Sequence, residues 1–240
     1  MMCTVTYCPT PSGFILTHNR DEAPTRSPNH LSQATTSLGD TLLFPRDTQA
    51  GGAWIVTARS RRTACLLNGA FLKHVHQPPY RRSRGLLLLD FFEAENPNAL
   101  FTEYNLEGIE PFTFLLFEIG GVTELRWDGQ ERHLKNLAPD ATWFWCSATL
   151  YPPEMQVLRE QVFQNWRTYH IEDAAHLPAA LLELHHTGSV GDLENDFIMN
   201  RGNRVRTVSI TQVIGREDAV EMQYQDLLEG YEDTQMIHFN

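Results

Sequence analysis

Paired cysteines, long apolar runs and a surplus of basic residues are all missing from this chain. Its four cysteines, Cys3, Cys8, Cys65 and Cys146, show no Cys-x-x-Cys pair and no regular spacing. That pattern argues against a zinc ribbon or a disulfide framework, and we expect a reducing, cytoplasmic setting. The apolar run Leu86 to Leu89 is far too short to span a bilayer, and no basic segment followed by an apolar stretch opens the chain. Lys and Arg number 19 against 30 Asp and Glu, for a formal charge of -11. Such a balance repels phosphate backbones and anionic lipid, so neither a nucleic-acid partner nor membrane insertion is expected. Glycines come as the pairs Gly51-Gly52 and Gly120-Gly121 rather than in a dinucleotide or phosphate-loop fingerprint. His74 and His76 sit two apart and His185-His186 are adjacent, without a convergent third ligand, so no metal and no cofactor is expected.

What remains is an ordinary globular composition. Hydrophobic residues make up 42% of the 240 and charged residues 20%, enough apolar side chain for one sizeable core, and no linker divides residues 1–240. Cys3 to Cys8, Gly13 to Thr17, Ala53 to Ala58 and Thr63 to Asn68 read as strands bounded by turn residues. Arg59, Arg61 and Arg62 suit a solvated hairpin tip between the last two. A helical stretch is expected within Tyr80 to Tyr104, with Pro97 starting a new turn. Gly120-Gly121 between Phe112 to Ile119 and Val122 to Trp127 signals a hairpin. A strand at Trp143 to Cys146 precedes a helix opened by Pro152-Pro153, on which Leu158, Val162, Phe163, Trp166 and Tyr169 trace one apolar face. Pro178 to His186 reads as a second helix closed by Gly188, followed by strands at Arg206 to Ile214 and Ala219 to Tyr224. The acidic tail from Asp226 to Asn240 reads as loosely held. Strands and helices in this order imply a layered α+β domain.

Chemistry concentrates at the amino terminus. A cysteine exposed by removal of the residues before it carries a thiol and a free α-amine on one Cα. The amine, with an ordinary pKa of roughly 7.7 to 8.0, is a usable base near neutrality. In Met1-Met2-Cys3, translation from Met2 and loss of that methionine would expose Cys3. His18-Asn19-Arg20-Asp21-Glu22 follows the second predicted strand. If the first two strands pair, Arg20 and Asp21 fall just beyond the strand end, where Arg20 lowers the thiol pKa and Asp21 accepts a hydrogen bond from the amine. Asn68 is an oxyanion candidate or a turn residue before Gly69, and Arg204 a second cation or an exposed strand-end charge. Tyr80-Arg81-Arg82-Ser83-Arg84 is read as a solvated loop before a helix, and Cys8 and the aromatics Trp143, Phe144, Trp145 and Trp166 as packing residues.

Met2-Cys3-Thr4 followed by Asn19-Arg20-Asp21-Glu22 resembles the NRDE family, which includes the transport and Golgi organisation protein 2 homologues. The resemblance continues in Gly51-Gly52-Ala53-Trp54-Ile55, Leu66-Leu67-Asn68, Cys146-Ser147-Ala148-Thr149-Leu150 and Arg204-Val205-Arg206-Thr207-Val208. It implies a four-layer αββα sandwich of the N-terminal-nucleophile hydrolase type, similar to penicillin V acylases and bile salt hydrolases, whose cysteine attacks a non-peptide amide. The site residues so implied are Cys3, Arg20, Asp21, Asn68 and Arg204, acting on a small-molecule substrate. Ala148 stands where the family has an Asn, which removes a hydrogen-bond donor. The alternative is a non-catalytic binding or trafficking protein for haem or an acyl-CoA-like ligand on the same scaffold.

Overall fold

The computed structural model describes residues 2–26, 30–118, 120–170 and 175–239. The first two strands, β1 (Met2–Thr10) and β2 (Gly13–Glu22), form a long hairpin, and every neighbouring strand pair in both sheets is antiparallel. Strands β3 (Leu31–Thr35), β4 (Thr41–Pro45), β5 (Ile55–Ala58), β6 (Thr63–Asn68), β7 (Phe112–Glu118), β8 (Gly121–Trp127) and β9 (Arg132–Leu137) follow one another across one sheet. The other sheet runs β10 (Trp143–Cys146), β1, β2, β12 (Val205–Gly215), β13 (Ala219–Asp226), β14 (Tyr231–His238), with β11 (Asn200–Arg201) paired to β12. Helices α1 (Arg84–Glu93) and α2 (Ala99–Thr102) lie outside the β3–β9 sheet, and α3 (Pro153–His170) and α4 (Leu177–Thr187) outside the other.

Three apolar layers hold these four. Cys3, Val5, Tyr7 and Leu16 meet Trp54, Cys65, Leu67 and Leu115 between the sheets. Leu66, Phe114 and Leu116 turn the other way, onto Leu87, Leu88 and Phe91 of α1. Cys8 and Ile15 pack against Phe163 of α3 and Leu181 and Leu184 of α4. Each fully buried Leu or Phe contributes about 1.5–3 kcal/mol, so the alternation of side chains along β1, β2 and β6 is what fixes the sandwich. Among the described residues no helix is long and apolar enough to cross a membrane.

Several expectations change. The β2 strand continues to Glu22, because β1 and β12 pair with it on both sides through Asp21. Strands β3 and β9 are edge strands with mostly exposed or half-exposed side chains, and edges carry polar residues that hide the strand pattern; β4, between β3 and β5, buries Leu42, Leu43 and Phe44 in an apolar run too short to stand out. In the β7–β8 hairpin Gly121 already pairs with Glu118, and only Gly120 of the two glycines has positive φ, 79°. The expected strand residue Ile119 lies outside the described residues. The apolar stripe of α3 is narrower than its spacing implies: Phe163 is buried, whereas Leu158 is 45% and Tyr169 85% exposed. Arg159, one residue past Leu158, takes the inward place instead. The tail is not loose up to Phe239: β14 pairs along the whole of β13, although only Ile237 in it is buried. Asn240 lies outside the described residues.

Candidate active site

Register decides which side chains meet. Cys3 lies opposite Arg20, Met2 opposite Asp21 and Val5 opposite His18. Side chains alternate across a strand, so His18, Arg20 and Glu22 share the inter-sheet face with Cys3, while Asn19 and Asp21 face the α3 and α4 layer. The contacts agree. Arg20 lies 4.1 Å over the ring of Trp54 from the facing sheet. Asn19 reaches the carbonyls of His185 and Phe197, at 3.0 and 2.9 Å. The Asn-Arg-Asp-Glu run is thus the interior of a strand and not a turn beyond one, and it tolerates burial because each of its side chains finds polar partners.

Arg20 is fully buried and clamped from three sides. Its Nη2 pairs with Asp47 Oδ2 at 2.8 Å, its Nη1 donates to the Arg26 carbonyl, and Trp54 covers its plane. Asp47 Oδ2 also takes Arg26 Nη2 at 2.7 Å, while its Oδ1 accepts the backbone N–H groups of Gln49 and Ala50. Burial pushes the Cys3 thiol up to about 12, with Asp21 adding to the rise and Arg20 opposing it. Burial would raise Glu22 as well, but the positive charge at the amino terminus, the Ala23 N–H and the Arg26 and Arg20 guanidiniums hold it below the usual carboxylate value. Glu22 accepts from Ala23 N at 3.0 Å and from Arg26 Nη1 at 3.1 Å.

Asp21 belongs to a different network. Tyr151 and Thr207 donate their hydroxyls to its two oxygens, at 3.1 and 2.7 Å. Burial still pushes it up to about 6, against Arg159 and these two hydrogen bonds. Beside it, Asn19 Oδ1 lies 2.6 Å from His185 Nδ1, and Thr6 Oγ1 2.8 Å from His185 Nε2. The Asn19 oxygen can only accept, which puts the imidazole proton on Nδ1 and makes Thr6 the donor to Nε2. Burial holds His185 neutral, well below its ordinary value.

Ser147 ties a third candidate in. Its N–H donates to the Cys3 carbonyl at 2.9 Å and its hydroxyl to the Asn68 carbonyl at 2.8 Å. Asn68 therefore ends β6 within one residue of Cys3, although strand alternation gives its side chain the parity of Leu66 and not of Leu67. Buried Ala148 packs against Gly69 and brings no side-chain donor. Arg204 is not brought to the site: it is exposed in the turn between β11 and β12, where the hairpin projects into solvent. Cys8, Trp145 and, half-buried, Trp143, Phe144 and Trp166 are packing residues.

The tyrosine-arginine segment is not wholly solvated. Arg84 opens α1 with its side chain 11% exposed and pairs with Glu110 at 2.7 Å, because burial of α1 carries its first residue inward. His74 Nε2 and His76 Nδ1 each lie 3.0 Å from the other oxygen of Glu110. Arg84, Arg26, Asp47, Tyr80 and Glu110 line a cavity of about 270 Å³ next to Arg20. A larger cavity of about 430 Å³, lined by Tyr7, Phe14, Arg61 and Phe239, lies at the opposite end of the β1–β2 hairpin from Cys3. Asp47, Arg84 and Ser147 were not singled out as site residues from sequence; only the arginine clustering before α1 hinted at one of them.

The family model for Transport and Golgi organisation 2 matches residues 2–211. The chain belongs to that family. Comparison with curated proteins finds no match. Among solved structures, penicillin V acylase from Agrobacterium tumefaciens aligns with a TM-score of 0.58 and 10% identity, over 98% of this chain and 86% of that one. A Caenorhabditis elegans ortholog of N-acylethanolamine-hydrolyzing acid amidase aligns at 0.57 and 13%, over 88% and 92%. A mutant of conjugated bile acid hydrolase from Clostridium perfringens aligns at 0.51 and 10%, over 100% and 97%. This member of the Transport and Golgi organisation 2 family therefore has the αββα fold of N-terminal-nucleophile hydrolases, with a buried cysteine next to its amino terminus.

Proposed function

We propose that the chain is a cysteine hydrolase of a non-peptide C–N amide bond in a small molecule, acting as a single cytoplasmic domain. One observation carries the reading: on an amidase-type fold, Cys3 lies opposite a fully buried arginine in the strand register. Four free cysteines accord with a reducing compartment. In the proposed sequence, loss of the residues before Cys3 frees its amine, which takes the thiol proton. The sulfur attacks the amide carbon, and backbone N–H groups near Cys3 hold the oxyanion in place of the Asn68 amide, whose side chain has the parity of the α1-facing Leu66. The C–N bond then breaks, and the leaving amine takes the proton held by the α-amine. Water attacks the thioester carbonyl, its proton returns to the sulfur, and the acid departs. Arg20 favours the thiolate. Glu22 accepts from the amine on the Cys3 face, and Asp21 serves as a positioning residue from the other face. Arg204 has no part.

Intact mass before and after incubation with a thiol-reactive acyl analogue tests this. An adduct on Cys3, absent in Cys3→Ala along with all turnover, is expected. Adducts confined to the other cysteines would end the proposal. A second reading, binding or trafficking of haem or an acyl-CoA-like ligand without catalysis, draws on three observations: the thiol is sealed and pushed up to about 12, Ala148 offers no donor, and the larger cavity is remote from Cys3. Binding of either ligand that survives Cys3→Ala would favour it.

A further inference from the structure

The cavity beside Arg20 has an uneven hydrogen-bond inventory. Its carboxylates are already supplied. Asp47 accepts from Arg20, Arg26 and the N–H groups of Gln49 and Ala50. Glu110 takes His74 and His76 on one oxygen and Arg84 on the other. Donors remain over. Of the five N–H groups on a guanidinium, Arg84 commits one to the Pro111 carbonyl and one to Glu110. Arg26 commits one each to Glu22 and Asp47. The Tyr80 oxygen accepts from Gln77 N and the Ser83 oxygen from Leu86 N, which leaves both hydroxyl protons to give. Among the described residues the acceptors are satisfied and donors are spare, which calls for a ligand rich in acceptors; guanidiniums suit a carboxylate or a phosphate, and of the two a carboxylate is the one an amide substrate commonly carries.

Size and lining narrow the class. About 270 Å³ corresponds to roughly nine waters of liquid volume. Part of its wall is closely packed backbone: a Cβ on Gly52 would lie 2.5 Å from the Gly85 carbonyl carbon. Among the described lining residues Ala50 is the one aliphatic side chain and Tyr80 the one ring, so they offer no wall for a long acyl chain. Asp47 and Arg26 both touch the Arg20 guanidinium, which places the cavity one side chain from Cys3.

We propose that this cavity is an anion subsite for the Cys3 centre, which takes the carboxylate of a short polar amide such as an N-acyl amino acid. The inference rests on the hydrolase reading for its role, but the subsite is tested by binding alone. Acetylglycine and its neutral counterpart acetylglycinamide share the same amide and nearly the same volume. In calorimetric titrations of the whole chain at matched ionic strength, acetylglycine should bind at least about tenfold more tightly, the worth of one charge-assisted contact. Arg84→Gln should erase that preference, and Arg84→Lys should keep part of it. Equal affinities in the unsubstituted protein, or no binding of either, would overturn the proposal without recourse to a variant. Release of glycine is followed separately: binding without release removes the hydrolase reading and leaves the subsite.

Discussion

At the scale of single residues, the two carboxylates of the Asn-Arg-Asp-Glu run make different predictions because they face opposite ways. A carboxylate near an ammonium favours its charged form, so removing it lowers the amine pKa. In protein whose chain begins at Cys3, Glu22→Gln should move the pH profile of iodoacetamide alkylation at Cys3 down by about one unit. Asp21→Asn should leave the profile in place and act on stability through the Tyr151 and Thr207 hydroxyls. The reverse pattern would return the amine's partner to Asp21. Asp47 makes a further test, since it is the buried counter-charge of Arg20. Asp47→Asn should cost about 3–5 kcal/mol in urea unfolding, as expected for an uncompensated buried charge. The nearness of Arg20 and Asp21 to Cys3 was legible from the expected pairing of the first two strands. Which carboxylate faces the sulfur was not, because it depends on β2 running on to Glu22, and a polar tetrad carries no hydrophobic period to reveal a strand. Asp47 and Arg84 reach the centre only through contacts between distant segments, for which a single chain offers no local signal.

At the scale of elements, legibility followed burial except at β4, where Leu42, Leu43 and Phe44 are buried but make too short an apolar run to be read as a strand. Strands β5, β6, β7, β8 and β10 carry β-branched, aromatic or leucine side chains into a core and were foreseen within a few residues. The edges β3, β9 and β14 bury one side chain or so each, and their residues read as loop or tail. Arg159 in α3 misled in the other direction, since its inward position depends on Thr4, on the carbonyls of Asn195 and Asp196, and on the Tyr151 ring 4.0 Å away. The seating of α1 on the loop before β5 is an exacting contact, since a Cβ on Gly52 would lie 2.5 Å from the Gly85 carbonyl carbon. Gly52→Ala should displace α1 and lower the urea midpoint by the equivalent of about 1–3 kcal/mol. Gly121→Ala, where an added Cβ meets nothing within 4 Å, should change stability by less than about 0.5 kcal/mol. Equal effects of the two would mean that α1 is free to shift.

At the scale of the whole molecule, acid should be the weak flank. Burial holds His18 at about 3, far under its ordinary 6.5, and lowers His185 too. Both fold neutral, so the unfolded chain gains protons first; their contribution is complete above about pH 6.5 and is lost as pH falls towards 3. His18 alone accounts for up to about 5 kcal/mol. Asp21 runs the opposite way, its part complete below about 3.8 and lost as pH rises through 6, and so offsets some of the slope. Urea unfolding between pH 4 and 8 should show net stability rising with pH, with a shallower rise in His18→Gln; a flat curve would mean that the histidines are hydrated in the fold. Two consecutive residues of β2 also tie α4 to the neighbourhood of the sulfur: Asn19 grips His185 of α4 while Arg20, next along, stacks on Trp54 just before β5 of the opposite sheet. A slip of that strand by a single residue would exchange inside for outside at every position. Any remodelling of α4 in a descendant chain must therefore preserve its hold on Asn19, or the guanidinium trades places with a carboxamide and the sulfur loses its counter-charge.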